Sequence, residues 1–219
     1  MPSLETSVVG AVLAGGASRR LGQDKALLPW SGKALLLHPF EVLQAVVAEV
    51  VVVTVPGRSY EQLGVPVVHD RFEGQGPLAG IHAALEWAGS RPVFVVACDL
   101  PFVSAELVRH VAAWSTTQEA FTSRGDQTSC GARARVAVWE GRKQPLFGLY
   151  SASCRDLLET RLRECRLEAW RFLDAIETES VPVTPALHFF RPDLLVNINS
   201  PSDLQRSVPE EASAPSDPA

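Results

Sequence analysis

The chain has 219 residues, 46% of them hydrophobic and 21% charged, and a formal net charge of −5. That length suits one domain with a substantial core, and the acidic balance argues against general nucleic-acid binding, which draws on clustered basic charge. The four cysteines, Cys98, Cys130, Cys154 and Cys165, form no C-x-x-C pair, which fits a reducing cytoplasm better than a disulfide framework or a zinc site. The start MPSLETS carries an acid and no basic run, unlike a secretory signal. The most apolar stretch, residues 46–55, contains Glu49 and is too short to span a bilayer.

In chain order, residues 8–13 are a run of apolar, β-rich residues, the pattern of a buried central strand. The loop that leaves it begins with Ala14, Gly15 and Gly16, then sets Arg19, Arg20 and Lys25 against Asp24 alone. Residues 29–32 read as a turn. Residues 33–48 are mostly apolar with His38, Glu41 and Gln44 on a wet side, and predict a helix. Residues 49–55 predict a second buried strand and 65–69 a third, ending at Asp70. Pro77 suits a first helical position, so 77–88 predict a helix. Residues 92–97 predict a fourth strand, followed at once by Cys98-Asp99-Leu100-Pro101, and Ser104 suits the cap of a helix reaching Trp114.

The second half is less regular. Residues 120–123 suggest a strand, and 134–139 with 145–150 suggest two strands joined through Gly141. Residues 151–163 and 167–173 predict helices, and 180–184 and 194–198 late strands. Ser200-Pro201-Ser202-Asp203 has the cap, proline and acid of a helix start. From Val208 to Ala219 the composition predicts a disordered tail. The alternation of strand and helix predicts a single-domain α/β protein over residues 1–207. Its expected architecture is a Rossmann-like, doubly wound, mostly parallel sheet with a small antiparallel element in the second half.

Ligands of such sheets sit beyond the carboxyl ends of the strands, and three polar clusters fall there: the glycine loop, Asp70 and Asp99. A tight glycine turn lets backbone N–H groups approach a ligand, and the added guanidinium and ammonium groups favour a polyphosphate. The spacing matches neither the P-loop, because Gly22 is followed by Gln23-Asp24 and Lys25 by Ala26, nor G-x-G-x-x-G, because Gly15 and Gly16 are adjacent. Asp99 reads either as a loop opener in Asp-x-Pro or as the carboxylate of a Mg²⁺ site shared with phosphate oxygens, and the glycine loop favours the second. Asn197 and Asn199 alternate about Ile198 on one face of the expected strand, either to serve metal and phosphate or to finish the strand. Residues 74–80, Gly-Gln-Gly-Pro-Leu-Ala-Gly, put small residues and first-turn amides beside the loop, for reading a base edge, for tight helix packing, or for both. No general base stands out, and a phosphate monoester needs none: with a second pKa of about 6 it is already a nucleophile at neutral pH.

The run Leu13-Ala14-Gly15-Gly16-Ala17-Ser18-Arg19-Arg20-Leu21-Gly22-Gln23-Asp24-Lys25 resembles L-A-G-G-x-S-x-R-x-G-x-D-K of the molybdenum cofactor guanylyltransferase family. The likeness extends through residues 76–80, 97–101, 144–150 and 197–204. It implies GTP binding by Leu13, Ala14, Gly15, Gly16, Lys25, Thr54, Asp70, Gly80 and Asp99, with Arg19, Lys25 and Asp99 in catalysis. It implies Mg²⁺ on Asp99 and Asn199, and an acceptor side at Asn197 and Asn199. The family reaction joins GMP from GTP to the terminal phosphate of molybdenum-molybdopterin and releases pyrophosphate. The partners so implied are GTP, molybdenum-molybdopterin and proteins of molybdoenzyme maturation, with neither nucleic acid nor membrane, for a cytoplasmic monomer. Thr54 and Gln144 depart from relatives that carry asparagine and histidine there. The alternatives are a nucleotidyltransferase using CTP or a sugar phosphate, and a non-catalytic nucleotide-binding adaptor; pyrophosphate release separates the adaptor from the enzymes.

Overall fold

β1 (Val9–Leu13) runs between β4 (Glu49–Thr54) and β6 (Val93–Ala97), parallel to both, inside a seven-stranded sheet. The structure, a computed structural model, describes residues 8–15, 24–113, 133–199 and 203. All of β1 is buried, and its side chains alternate between two apolar layers. Val12 packs in one layer with Leu43 and Leu107, while Val9, Ala11 and Leu13 pack in the other with Leu78, Ile81 and Leu85. A strand covered on both faces is apolar throughout, which is why its sequence shows an unbroken run.

The strand order is β5 (Val67–His69), β4, β1, β6, β8 (Arg142–Tyr150), β7 (Arg133–Trp139) and β9 (Glu177–Pro182). β8 alone runs against its neighbours, so the mostly parallel sheet with an antiparallel element in its second half is as expected. Glu140 and Gly141 both take positive φ, 49° and 74°, the backbone of a tight two-residue hairpin between β7 and β8. Further along β8, opposite Val136, Gly148 is required: a Cβ there would meet Val136 Cγ1 at 2.6 Å and the Arg135 carbonyl oxygen at 2.7 Å, beside the bulge between Val136 and Val138.

α1 (Leu37–Gln44) and α3 (Ala105–Ala112) cover one face; α2 (Pro77–Ala88), α4 (Cys154–Arg163) and α5 (Ala169–Asp174) cover the other. Pro77 opens α2, and Ser104 caps α3 by accepting from the Leu107 N–H at 3.2 Å. After β5 the chain crosses over β1 to reach β6, so the order reverses between β1 and β6, where such sheets open a crevice at their carboxyl ends. No helix among the described residues is long and apolar enough to cross a membrane.

Two sequence expectations are corrected. The helix expected over 33–48 is shorter, because Lys33–Ala34 form β3, paired antiparallel with β2 (Pro29–Trp30). Ser31 and Gly32, at φ 44° and 81°, make a turn that continues into strand and not helix. The strand expected over 194–198 is a turn followed by extended chain. The Leu194 and Val196 amides donate back to the Arg191 and Asp193 carbonyls, which leaves the Ile198 N–H to reach the Asp99 carbonyl at 3.0 Å. Ile198, buried in that irregular segment, joins Trp30, Leu35 and Phe102 in a small third core. The expectations for 120–123, Cys130, Ser200 and the tail from Val208 lie outside the described residues.

Candidate functional site

β1 delivers Leu13, Ala14 and Gly15 to the carboxyl edge of the sheet, and the Ala14 N–H donates to Val53 O at 2.8 Å. Lys25 begins a short 3₁₀ turn over Lys25–Leu27, capped by Asp24, which accepts from the Ala26 N–H at 3.1 Å. The same carboxylate accepts from the Tyr60 hydroxyl at 2.9 Å and from Arg58 Nη1 at 3.3 Å. Arg58 Nη1 also donates to the Ala14 carbonyl at 3.3 Å. Both ends of the glycine loop are therefore pinned to the segment after β4. Burial pushes the Tyr60 phenol up to about 12, which keeps it a neutral donor.

On one side of the loop stands Asp70, at the end of β5. Its N–H donates to the Thr54 carbonyl at 2.9 Å, and the residue is 5% exposed. Its Oδ1 is buried with no hydrogen-bond partner among the described residues. A Cβ on Gly15 would stand 3.8 Å from its Oδ2, in ordinary van der Waals contact, so the carboxylate lies beside the start of the loop. Burial pushes the Asp70 carboxyl up from its ordinary value, Glu73 adds to the push, and His69 opposes it. An orphaned buried acceptor costs about 1–3 kcal/mol, so this oxygen suits a ligand that brings N–H donors.

On the other side Asp99 follows β6 and Cys98. Its Oδ2 accepts from Lys25 Nζ at 2.8 Å and its Oδ1 from Asn197 Nδ2 at 3.1 Å. Lys25 Nζ also donates to Asn199 Oδ1 at 3.0 Å. Asn197 and Asn199 are exposed on either side of buried Ile198, and the Asn199 N–H donates to Asp203 Oδ2 at 2.9 Å. Burial pushes the Cys98 thiol up to about 12, the state of a packing residue and not of a nucleophile.

The fold thus brings Leu13, Ala14, Gly15, Lys25, Asp70, Asp99, Asn197 and Asn199 to one edge. Thr54 lies fully buried beneath that edge and acts through the carbonyl that holds Asp70. Gly80 lies under β1, where a Cβ would meet Leu13 Cδ1 at 3.3 Å, so its place is the close approach of α2 to β1. Gly16 and Arg19 lie outside the described residues. Sequence reasoning missed Arg58, Tyr60 and Ile198; the basic and aromatic residues just after a strand-closing Pro-Gly were the available signal for the first two.

The donor set fits Mg²⁺. A carboxylate oxygen and an amide oxygen already converge on one cation, the Lys25 ammonium, and hard oxygens are what Mg²⁺ takes. Among the described residues no three His, Cys, Asp or Glu side chains cluster to cage an ion, so phosphate oxygens and water would complete the shell.

The family model of the MobA-like NTP transferase domain matches residues 10–180. The probable molybdenum cofactor guanylyltransferase of Carboxydothermus hydrogenoformans is 33% identical over 197 residues, which is 90% of this chain and 92% of that protein. Its counterpart from Pelotomaculum thermopropionicum is 34% identical over 199 residues, 90% of each chain. Among solved structures, molybdopterin-guanine dinucleotide biosynthesis protein A from Archaeoglobus fulgidus shares the fold with a TM-score of 0.72 and 28% identity, over 90% of this chain and 95% of that one.

Proposed function

The chain belongs to the molybdenum cofactor guanylyltransferase family, with a MobA-like NTP transferase domain, and on that premise we propose that it transfers GMP from GTP to the terminal phosphate of molybdenum-bearing molybdopterin, with Mg²⁺. The observation that carries this reading is the opposite condition of two strand-end carboxylates. Asp70 has an oxygen with no partner among the described residues, and Asp99 has both oxygens engaged.

Guanine offers N1–H and N2–H₂ side by side, a pair of donors that one ionised carboxylate accepts together. Asp70, facing Gly15, is the group for that edge. The triphosphate then passes the backbone of Leu13, Ala14 and Gly15 toward Lys25, and the resemblance assigns it Gly16 and Arg19 as well. Asp99 and Asn199 would hold Mg²⁺, which would supply charge neutralisation to the phosphates. Asn197 and Asn199 face the acceptor.

An oxygen of the acceptor phosphate attacks the α-phosphorus of GTP in line. The bond from that phosphorus to the bridging oxygen of the β-phosphate breaks, and pyrophosphate leaves with the charge. No proton has to be removed from a phosphate monoester with a second pKa of about 6. Arg19 and Lys25 meet the charge that grows on the leaving pyrophosphate. Thr54 and Gly80 set the frame, the one by holding Asp70 and the other by letting α2 approach Leu13.

Incubation of the full chain with Mg²⁺, molybdenum-molybdopterin and GTP or CTP tests the reading. GTP is expected to yield pyrophosphate and molybdopterin guanine dinucleotide. Preferential turnover of CTP would make it a cytidylyltransferase, and GTP binding with no pyrophosphate released from any acceptor would make it an adaptor.

A further inference from the structure

We infer that Lys25 and the divalent cation compete for the same two oxygens, Asp99 Oδ2 and Asn199 Oδ1, so that the triphosphate has to draw Lys25 away for the metal to be held. This deepens the reading of Asp99 and Asn199 as metal ligands and rests on it.

The ammonium lies 2.8 Å from Asp99 Oδ2 and 3.0 Å from Asn199 Oδ1. A Mg²⁺ ion touching oxygens needs them at about 2.0–2.1 Å, and an ion placed between these two would sit against the ammonium that already bridges them, charge against like charge. One partner has to move, and the surroundings choose which. The Asp99 carboxylate is held at its other oxygen by Asn197 Nδ2, and its carbonyl is held by the Ile198 N–H. Ile198 is anchored in turn among Trp30, Leu35 and Phe102. The backbone of Lys25 is fixed by the capped turn, but its four-carbon stem is a flexible carrier of one charge. Lys25 is therefore the part that swings.

The pair is also strong enough to matter. The Lys25 and Asp99 side chains are only 13% and 18% exposed, so water screens them less than it does a surface pair. A triphosphate resolves the competition at both ends: it offers Lys25 phosphate oxygens in exchange for Asp99, and it adds phosphate oxygens to the metal's shell. Nucleotide and metal then bind with positive coupling, each raising the other's affinity by the same factor. Lys25 enforces that coupling by making the bare site a poor one for a free cation.

Mn²⁺ is the probe, with its binding followed by the magnetic resonance of the free ion on the full chain. Without nucleotide, Lys25→Met is expected to bind one Mn²⁺ at least about tenfold more tightly than wild type, a typical coupling magnitude. The double variant Lys25→Met, Asp99→Asn should lose that site. Lys25→Gln, which keeps a polar tip and removes the charge, should behave as Lys25→Met does. With GTP, wild type should gain a Mn²⁺ site that Asp99→Asn lacks. If both lysine variants bind Mn²⁺ no more tightly than wild type while Asp99→Asn still loses the nucleotide-dependent site, the competition is overturned and the metal assignment stands. If Asp99→Asn keeps that site at wild-type affinity, the metal assignment itself is overturned.

Discussion

Asp70 and Asp99 are the same residue at equivalent places, each just past the end of a parallel strand and on either side of the glycine loop, yet the protein has left them in opposite electrostatic states. Asp70 is buried with an oxygen that no described residue partners, and its carboxyl is pushed up. Asp99 holds an ammonium on one oxygen and an amide donor on the other. A carboxylate starved of donors suits a ligand that carries N–H groups; one already neutralised by a cation suits exchange of that cation for another. Position in the fold brings both residues to one edge, and on the proposed reading the partners already on their oxygens divide the work between base and metal.

The largest effect expected is at Asp99. Asp99→Asn keeps the shape and removes the charge, so the variant should fold and lose turnover at least about a thousandfold, the several kcal/mol that a correctly held metal supplies. The residual rate should rise with added Mg²⁺. Turnover and Mg²⁺ dependence like wild type would reduce Asp99 to a loop opener.

Lys25→Ala comes next. The phosphates lose a cation whose interaction strengthens as charge moves to pyrophosphate, and turnover at saturating GTP should fall at least about a hundredfold. Asp99 keeps its Asn197 donor, so the melting temperature should stay within about 4 °C of wild type. A normal rate would demote Lys25 to a structural partner of Asp99.

The smallest change, and the most specific in sign, is at Asp70. A carboxyl whose folded pKa is raised favours folding below its ordinary pKa, and that contribution is lost as the pH rises through the folded value. Asp70→Asn should therefore melt higher than wild type at neutral pH, and the difference should vanish in acid. GTP affinity should move the other way, falling about tenfold in the variant for the loss of a charge-assisted pair. In wild type it should weaken as the pH drops through the raised pKa of Asp70. Calorimetry across pH checks both; a variant that melts lower at neutral pH and binds GTP normally would remove Asp70 from base recognition.

Much of this division was legible in the sequence, for identifiable reasons. Strands buried on both faces write unbroken apolar runs, so β1, β4 and β6 and the residues that leave them could be placed, and with them Asp99 and the glycine loop. Ser104 announced its helix because a serine before an apolar run is a cap, and its hydroxyl does accept from Leu107. The small hairpin of β2 and β3 was lost because the apolar residues 34–37 continue a helical pattern that the Ser31-Gly32 turn interrupts through backbone angles alone. Residues 194–198 imitate a strand because Leu194, Leu195 and Ile198 are buried, but they cover the edge of the fold without joining the sheet. Arg58 and Tyr60 carried no periodic signal, since their meaning depends on Asp24, 34 and 36 residues away in the chain. The orphaned oxygen of Asp70 is a fact of packing that no spacing encodes.

The third small core has a consequence in time. Trp30, Leu35 and Phe102 wait for Ile198, and Lys25 meets Asn199 across 174 residues of chain. The parallel strands β1, β4, β5 and β6, with Asp70 and Asp99, all precede Phe102 in the chain, while the residue that fills the last apolar notch follows it by nearly a hundred residues. The contact that carries Asn197 and Asn199 to Asp99 is therefore a long-range one, whose loop has to close before it gains anything, and it forms after the more local contacts of those strands.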